Sequence, residues 1–387
     1  MSSREIYLDY AATAPLDPQV AAAMHECLTR EFGNPSSLHA AGRRARALVE
    51  AARESVAARV GCASERIVFT SGATESNNLA LQGVLRRSRG RRVHLVTSRI
   101  EHKSVLDVAR SLESSGVAVT YVPATAGGSV DAGRVAEAID DDTQLVSVMH
   151  VNNETGVVQD VRAIGEACRE RGVLFHVDAA QSVGKLPLAL TQLPIDLCSL
   201  TAHKLCGPKG VGALYLAPRV TLVPQLHGGE QERSLRAGTL ATHQIVGMGK
   251  AYELADPERE APRLAALRDR LWKELAVVEG ARSNGDPERR AAHVLNVAFP
   301  GVDGESLRFA LNDVCVSAGS ACAADSPEAS HVLTGMGLSD VLAGSSLRFS
   351  VGRFTTEDDV VAAAARVGKA VARLRSLARA APAWCSA

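Results

Sequence analysis

The sequence predicts an α/β fold in which a large, mostly parallel sheet is joined to a smaller α+β part. Two observations carry this prediction. Between about residues 60 and 217, short β-rich runs alternate with helical stretches. After about residue 255 the pattern changes to a long charged helix, two strand-like runs and a final helix. Runs that are apolar throughout and separated by helices are typical of parallel strands covered on both faces.

Seven β-rich runs supply the strands of the predicted sheet. They are Ile67–Thr70, Val93–Thr97, Ala118–Val122, Leu145–Met149, Leu174–Val177, Asp196–Leu200 and Gly212–Leu216. Amphipathic helices precede the sheet, and further helices lie between most of its strands. The predicted helices are Pro18–Arg30, Arg43–Arg59, Glu75–Arg87, His102–Ser114, Arg134–Ile139 and Val161–Arg171.

The residue pattern in the C-terminal third of the chain predicts the smaller α+β part of the fold. Its elements are a helix over Pro257–Val278, a strand over Val294–Phe299, a helix over Glu305–Leu311, a strand over Leu347–Val351 and a helix over Glu357–Ala380. We therefore expect a large domain of residues 15–258, and a small domain formed by residues 1–14 together with 259–387.

Composition restricts the classes of function. The chain has 43 basic and 43 acidic residues, so it lacks the overall basic excess that favours direct nucleic-acid binding. No run reaches the ~18 apolar residues of a membrane span, and the first residues lack a signal-peptide core. The eight cysteines form no C-x-x-C pair and no Cys/His cluster at zinc spacing. We expect a cytoplasmic protein with reduced thiols, no metal site and no membrane partner.

Polar residues follow three of the predicted strands. The small residues of Thr70–Asn78 lie between a strand and a helix, a setting that suits a phosphate, although simple capping of the helix explains it equally well. Asp178 ends a second strand and Lys204 follows a third. Ligands of parallel sheets bind at the carboxyl ends of the strands. A carboxylate for the ring nitrogen and a lysine for the aldehyde carbon are the two groups that pyridoxal phosphate (PLP) requires.

A run of small residues, Ser317–Ala329, contains one thiol, that of Cys322. Because the run lacks apolar anchors, we expect a mobile loop over about residues 317–330. A thiol on such a loop can enter a site and leave it carrying a group. Cys206 beside Lys204 is the closest rival, while Cys198 falls within an apolar strand, where thiols are usually inert.

With these residues in hand, the chain resembles the cysteine desulfurases, PLP enzymes of the aminotransferase class V fold family. Its loop after Cys322 is similar to the group with a long catalytic segment. The matching motifs span nearly the whole chain: Tyr7–Pro15, Phe32–Ser36, Thr70–Asn78, Glu101–Lys103, Met149–Gly156, His176–Lys185, Thr201–Tyr215, His227–Thr239, Ser317–Cys322 and Ser345–Ser350.

The resemblance implies a role for each matching residue. Lys204 would hold PLP and move protons, and Asp178 would keep the pyridine nitrogen protonated. His102 would stack on the ring and take a proton from the substrate. Cys322 would accept sulfur as a persulfide. The remaining implied contacts are Ala73, Thr74, Thr201, His203 and, from a second subunit, Thr239 to the phosphate; Asn153 and Gln181 near the phenolic oxygen; and Arg348 with Asn34 to the substrate carboxylate.

The implied activity converts L-cysteine to L-alanine in a homodimer. Sulfur would pass to an acceptor protein, either an iron–sulfur cluster scaffold or a thiolation enzyme such as one acting on tRNA. Selenocysteine lyase or another PLP β-lyase is the alternative, and an idle sulfur-trafficking relative is a further one. Thr201-Ala-His replaces the more usual Ser-Gly-His before the lysine, and the stretch after Ala380 is shorter than in the housekeeping desulfurases, which leaves the acceptor open.

Overall fold

The computed structural model describes residues 4–87, 92–317 and 329–380. Cys322 and most of the predicted loop around it lie outside the described residues. No helix within these three ranges is long and apolar enough to cross a membrane. The same ranges contain no group of three or more His, Cys, Asp or Glu side chains arranged to hold a metal ion.

Strands and helices alternate through most of the described chain. The strands are β1 (Ile6–Tyr7), β2 (Ile67–Thr70), β3 (His94–Ser98), β4 (Ala118–Val122), β5 (Thr143–Ser147), β6 (Leu174–Asp178), β7 (Leu197–Thr201), β8 (Gly212–Leu216), β9 (Arg282–Asn284), β10 (Val294–Ala298), β11 (Val314–Cys315) and β12 (Ser346–Ser350). The helices are α1 (Pro18–Arg30), α2 (Ala40–Val60), α3 (Ala73–Leu85), α4 (Lys103–Glu113), α5 (Ala132–Ala138), α6 (Val161–Glu170), α7 (Thr242–Glu253), α8 (Pro257–Leu275), α9 (Gly304–Ala310), α10 (His331–Gly335), α11 (Asp340–Gly344) and α12 (Glu357–Ala380).

The seven predicted strands form a single sheet in the order β2-β8-β7-β6-β5-β3-β4. Strand β8 is antiparallel to both of its neighbours, and the other pairings are parallel. The predicted mostly parallel, seven-stranded α/β sheet is therefore confirmed. The carboxyl ends of β2, β6 and β7 lie at the same edge of this sheet, because these strands run in the same direction.

Alternate residues of each strand pack on opposite faces of the sheet. In β2, Ile67 and Phe69 join the cluster that includes α2, α6 and α7, whereas Val68 joins the cluster that includes α3 and α4. Both faces are therefore covered, which explains why the strands are rich in apolar residues.

The smaller part has its own hydrophobic cluster. Strand β10 pairs antiparallel with β9 and β12, and this sheet packs with α8, α9 and α12. Ile6 and Leu8 from the N-terminus join the same cluster, and β1 pairs in parallel with β11. Both chain ends thus contribute to one core, while the predicted boundaries at residues 14 and 258 stay a prediction.

Helix α7 was not predicted, and its glycines explain why. Gly247 and Gly249 both weaken a helical pattern. In the structure they allow close packing, since a Cβ on Gly249 would lie 2.7 Å from the Cα of Ala52 on α2. Helix α2 also begins earlier than expected, at Ala40, because the imidazole of His39 accepts a hydrogen bond from the Gly42 N–H.

Candidate active site

One cavity of about 440 Å³ opens at the carboxyl ends of β2, β6 and β7. Of the thirteen side chains that the sequence predicts for the site, ten lie on its wall. These are Ala73, Thr74, His102, Asn153, Asp178, Gln181, Thr201, His203, Lys204 and Arg348. Asn34 and Thr239 are exposed and do not line this cavity. Cys322 lies outside the described residues.

Asp178 is the last residue of β6 and is buried at the cavity wall. Its Oδ2 accepts a hydrogen bond of 2.8 Å from the Asn77 side-chain amide, and its Oδ1 accepts one of 2.9 Å from the Ala180 N–H. Each carboxylate oxygen therefore has one donor, and the carboxylate is held in one orientation.

Lys204 lies in a tight turn directly after β7. The N–H groups of Leu205 and Gly207 both donate to the Ala202 carbonyl, and Cys206 adopts a left-handed conformation with φ 57°. This turn places Lys204 on the cavity wall. Burial and the charge of Lys204 lower the pKa of the neighbouring His203 to about 4, so His203 is neutral at pH 7.

The end of the cavity next to β2 has the features of an anion site. Helix α3 begins at Ala73 without a side-chain cap, after Gly72 with φ 155°. A Cβ built on Gly72 would meet nothing within 4 Å. The N–H groups of a first helical turn carry a positive partial charge that favours a phosphate. The Thr201 hydroxyl is buried without a hydrogen-bond partner among the described residues, and it lines the same cavity.

Two amide side chains, those of Asn153 and Gln181, also line the cavity. The Asn153 Oδ1 is buried and has no partner among the described residues. The Gln181 amide donates to the Ala11 carbonyl at 2.8 Å. Buried polar atoms normally have partners, so the free atoms of Asn153 and Thr201 indicate a missing polar ligand. Together with the uncapped helix, Asp178 and Lys204, they fit PLP.

His102 is the N-cap residue of α4. Its Nδ1 accepts the Ser104 N–H at 3.1 Å and lies 2.8 Å from the Ser104 hydroxyl. Burial, followed by the charge of Lys204, lowers the pKa of His102 to about 4. The ring is therefore neutral over the physiological pH range.

Arg348 is buried in β12 and reaches the cavity. Its Nη1 donates to the Asn153 carbonyl at 2.9 Å, and its Nη2 pairs with Asp9 at 2.8 Å. The Nε is buried without a partner among the described residues. These two bonds engage only two of the five guanidinium N–H groups, and the Nε–H is among those left for a ligand, a donor set that suits a carboxylate.

Both described ends of the segment that contains Cys322 contact residues on the cavity wall or next to it. The Ser317 hydroxyl donates to Asp9 at 2.9 Å, and the Arg348 N–H donates to the Ser317 carbonyl at 2.7 Å. On the other side, the Ser330 hydroxyl donates to the buried carboxyl of Glu154, which directly follows Asn153 in the chain.

The six described cysteines are free thiols, and burial raises the pKa of each. The pKa of Cys206, the rival nearest to Lys204, is raised to about 11. Its side chain packs against Tyr10 and Ala14 and does not line the cavity. A buried thiol with a raised pKa is a poor nucleophile, so Cys206 is poorly suited to accept sulfur.

The motif that carries Thr239 is anchored by one buried carboxylate. Glu232 pairs with both terminal nitrogens of Arg53 at 2.8 Å and accepts the Phe69 N–H at 2.6 Å. Glu232, Arg233 and Ser234 all have positive φ angles. The anchored segment leads to the exposed Thr239, on the surface of this chain.

Sequence reasoning missed Glu101, a fully buried carboxyl that directly precedes His102 in the chain. It accepts hydrogen bonds from the Ser98 hydroxyl and from the Met149 N–H. Burial raises the pKa of Glu101 to about 8, and the charge of Asp178 adds to the effect. Glutamate is a charged residue type that usually lies on the surface. The sequence alone therefore does not indicate that Glu101 is buried.

The raised pKa of Glu101 predicts a pH-dependent stability. Between pH ~4.3 and about 8 the folded protein holds a proton that the unfolded chain has lost, so the free energy of unfolding falls as pH rises through this range. Glu101→Gln keeps the shape without titrating. We expect this variant to remove a pH-dependent loss on the order of 4 kcal/mol, measured by urea unfolding at pH 5, 6.5 and 8.

Glu288→Gln is the matched control, because Glu288 is exposed. It should leave the pH dependence of the unfolding free energy unchanged. If Glu101→Gln and the wild-type chain lost stability equally between pH 5 and 8, Glu101 would not carry the proton.

Asn77, Ser104 and Asp9 are further site residues that sequence reasoning missed. Asn77 lies on α3 within a recognised motif, and Ser104 follows another on α4. Their side chains meet only because α3 and α4 pack side by side, where the Asn77 amide donates to the Ser104 hydroxyl at 2.8 Å. The motifs were the available signal, but a contact between two helices is not visible in either motif.

Comparisons of this chain with protein families, curated proteins and solved structures all indicate the same family. A family model described as aminotransferase class-V matches residues 6–362. A cysteine desulfurase IscS from Photorhabdus laumondii subsp. laumondii is 51% identical over 386 residues, which cover 98% of this chain and 95% of the relative. A solved NifS-like protein is similar with a TM-score of 0.90 at 35% identity, covering 96% of this chain and 100% of that chain. A structure of SspA in complex with cysteine has a TM-score of 0.82 at 38% identity, covering 91% of this chain and 100% of that chain.

Proposed function

The chain belongs to the class-V aminotransferase family and, within it, to the cysteine desulfurases, and we propose that it acts on L-cysteine with PLP bound through Lys204 and Asp178. The observation that carries the proposal is one cavity lined by both residues and by the unpartnered hydroxyl of Thr201. The cysteine-bound relative supports the same substrate.

The residues of the cavity divide the binding task between them. We assign the phosphate to the N-terminus of α3 with Thr201, and the ring nitrogen to Asp178, whose orientation Asn77 and Ala180 hold. When bound, PLP supplies an electron sink that weakens the Cα–H and then the carbon–sulfur bond of the substrate. Lys204 anchors the cofactor and transfers protons at the substrate carbon atoms.

Arg348 is assigned to the substrate carboxylate. Both of its Nη atoms already have protein partners, Asp9 and the Asn153 carbonyl. The buried Nε without a partner supports a further bond to a carboxylate. The ion pair with Asp9 restricts the position of the guanidinium.

Cys322 is assigned as the sulfur acceptor. Its thiolate attacks the sulfur of the substrate, a sulfur–sulfur bond forms as the carbon–sulfur bond breaks, and the products are L-alanine and a persulfide on Cys322. Cys322 lies five residues after Ser317 in the sequence, and five residues reach at most about 18 Å. Ser317 contacts Arg348 at the cavity wall, so the sequence separation is compatible with this role.

A homodimer is proposed as the functional unit. Asn34 and Thr239, both predicted for the site, are exposed in a single chain. Phe32 and Leu38, on either side of Asn34 in the sequence, are 87% and 80% exposed, and large apolar side chains at this exposure favour a protein contact. The persulfide would then pass to an acceptor protein, either a cluster scaffold or a thiolation enzyme.

The products formed from L-cysteine test the proposed function. With PLP and a reductant, the chain should release sulfide and L-alanine in equal amounts. A β-elimination would instead yield sulfide with pyruvate and ammonia, so sulfide without alanine would contradict the proposal. Parallel assays with selenocysteine show whether sulfur or selenium is the preferred leaving atom.

A further inference from the structure

We propose that Ser104 fixes His102 in the tautomer protonated on Nε2, which makes neutral His102 a hydrogen-bond donor towards the cavity rather than a base. This inference deepens the proposed function, on which it rests for its catalytic meaning. Its geometric part concerns only residues of this chain.

The two contacts at Nδ1 determine the tautomer. The backbone N–H of Ser104 donates to this atom at 3.1 Å. A proton on Nδ1 would therefore face another proton, so Nδ1 carries its lone pair and the neutral ring is protonated on Nε2. The Ser104 hydroxyl, 2.8 Å from the same nitrogen, can then act only as a donor in this contact.

Asn77 fixes the direction of the Ser104 hydroxyl. Its amide NH2 donates to Ser104 Oγ and to Asp178 Oδ2, each at 2.8 Å. The reversed amide would place its oxygen against the carboxylate, which is unfavourable. Asn77 is fully buried, and its Oδ1 has no partner among the described residues. A continuous chain of hydrogen bonds thus joins Asp178 through Asn77 and Ser104 to His102.

Titratable groups from four parts of the fold act on His102. Lys204 after β7 and His331 on α10 disfavour its protonation, whereas Asp178 at the end of β6 and Asp107 on α4 favour it. Burial has a larger effect on the pKa of His102 than any of these four groups, and the pKa falls to about 4. The neutral ring is thus the relevant species, and its tautomer decides what it offers to a ligand.

The consequence concerns proton transfer. The single lone pair of Nδ1 is shared by the N–H and the hydroxyl of Ser104, and Nε2 already holds a proton, so neither nitrogen is free to take one from the substrate. Lys204 is then left as the base in the cavity. His102 contributes a hydrogen bond from Nε2–H to a group held there, and Ser104 and Asn77 are its positioning residues.

Nitrogen NMR of the cofactor-free chain tests the proposal directly. Long-range proton–nitrogen spectra of the histidine-labelled protein distinguish the tautomers, and His102→Gln identifies one signal among the 11 histidines. We expect the Nε2-protonated form at pH 7. Observation of the Nδ1-protonated form would overturn the proposal. The desulfurase assay does not affect this readout, so failure of either idea is recognised separately.

Two variants test the contribution of the hydroxyl. Ser104→Ala removes one donor to the neutral ring and should raise the pKa of His102 by about 0.5 to 1 pH unit. Ser104→Thr retains the donor and should restore the wild-type pKa. Ser111→Ala, exposed on the same helix, is the control. Equal pKa values in Ser104→Ala and Ser111→Ala would contradict the role of the hydroxyl.

Discussion

Replacing Lys204 by alanine is expected to reduce alanine and sulfide formation from L-cysteine by about 10⁴-fold or more. The side chain has two proposed tasks, holding PLP covalently and transferring protons, and both end with its removal. Lys209 also lines the cavity, so the variant additionally tests whether this second amine can take over either task.

Absorbance of the purified protein separates the two tasks. Lysine-bound PLP is yellow, so the colour should vanish in Lys204→Ala even where the phosphate end still binds at α3 and Thr201. Lys273→Ala is the control, since Lys273 is exposed on α8 and should keep both colour and turnover. Persistence of the yellow absorbance in Lys204→Ala would show that another lysine holds the cofactor.

Replacing Cys322 by alanine is expected to lower sulfide release in the presence of reductant on the order of 10³-fold or more. The reaction would lose the atom that accepts sulfur, whereas the cofactor and its contacts in the cavity remain. The cofactor absorbance should therefore be unchanged and should still respond to added L-cysteine. This pattern distinguishes a lost nucleophile from a damaged site.

Cys206→Ala is the informative comparison for Cys322→Ala. Cys206 is the thiol nearest to Lys204 in sequence, but it is buried against Tyr10 and its pKa is raised to about 11. We expect this variant to keep turnover within about tenfold of the wild type, since loss of a buried packing thiol acts mainly on stability. Full sulfide release by Cys322→Ala would overturn the assignment.

The sequence predicted the central sheet well because most of its strands are buried on both faces. Such strands are short runs rich in apolar residues, and Ile67–Thr70, Leu174–Asp178 and Leu197–Thr201 are all of this kind. Helix α7 was hidden because Gly247 and Gly249 are unfavourable in helices and are explained only by tertiary packing. The short strands β1 and β11 are held by their partner rather than by their own pattern.

The residues of the candidate site that lie at the ends of strands were predictable from the sequence. Asp178 and Lys204 follow apolar strands, so the parallel topology alone brings them to one edge. The bond from Asn77 to Ser104 and the burial of Glu101 depend on how separate elements pack, and a linear pattern does not contain this information. Asn34 and Thr239 are predicted residues that a single chain leaves outside its cavity, which a second subunit would have to explain.

The central claim is that sulfur from L-cysteine arrives on Cys322. Its most direct test is mass spectrometry of the PLP-loaded chain after incubation with L-cysteine and no reductant, followed by digestion without reducing agents. The account predicts a peptide containing Cys322 that is heavier by one sulfur atom, with no such addition at Cys206. An added sulfur at Cys206, or alanine formed with no sulfur on any cysteine, would contradict it.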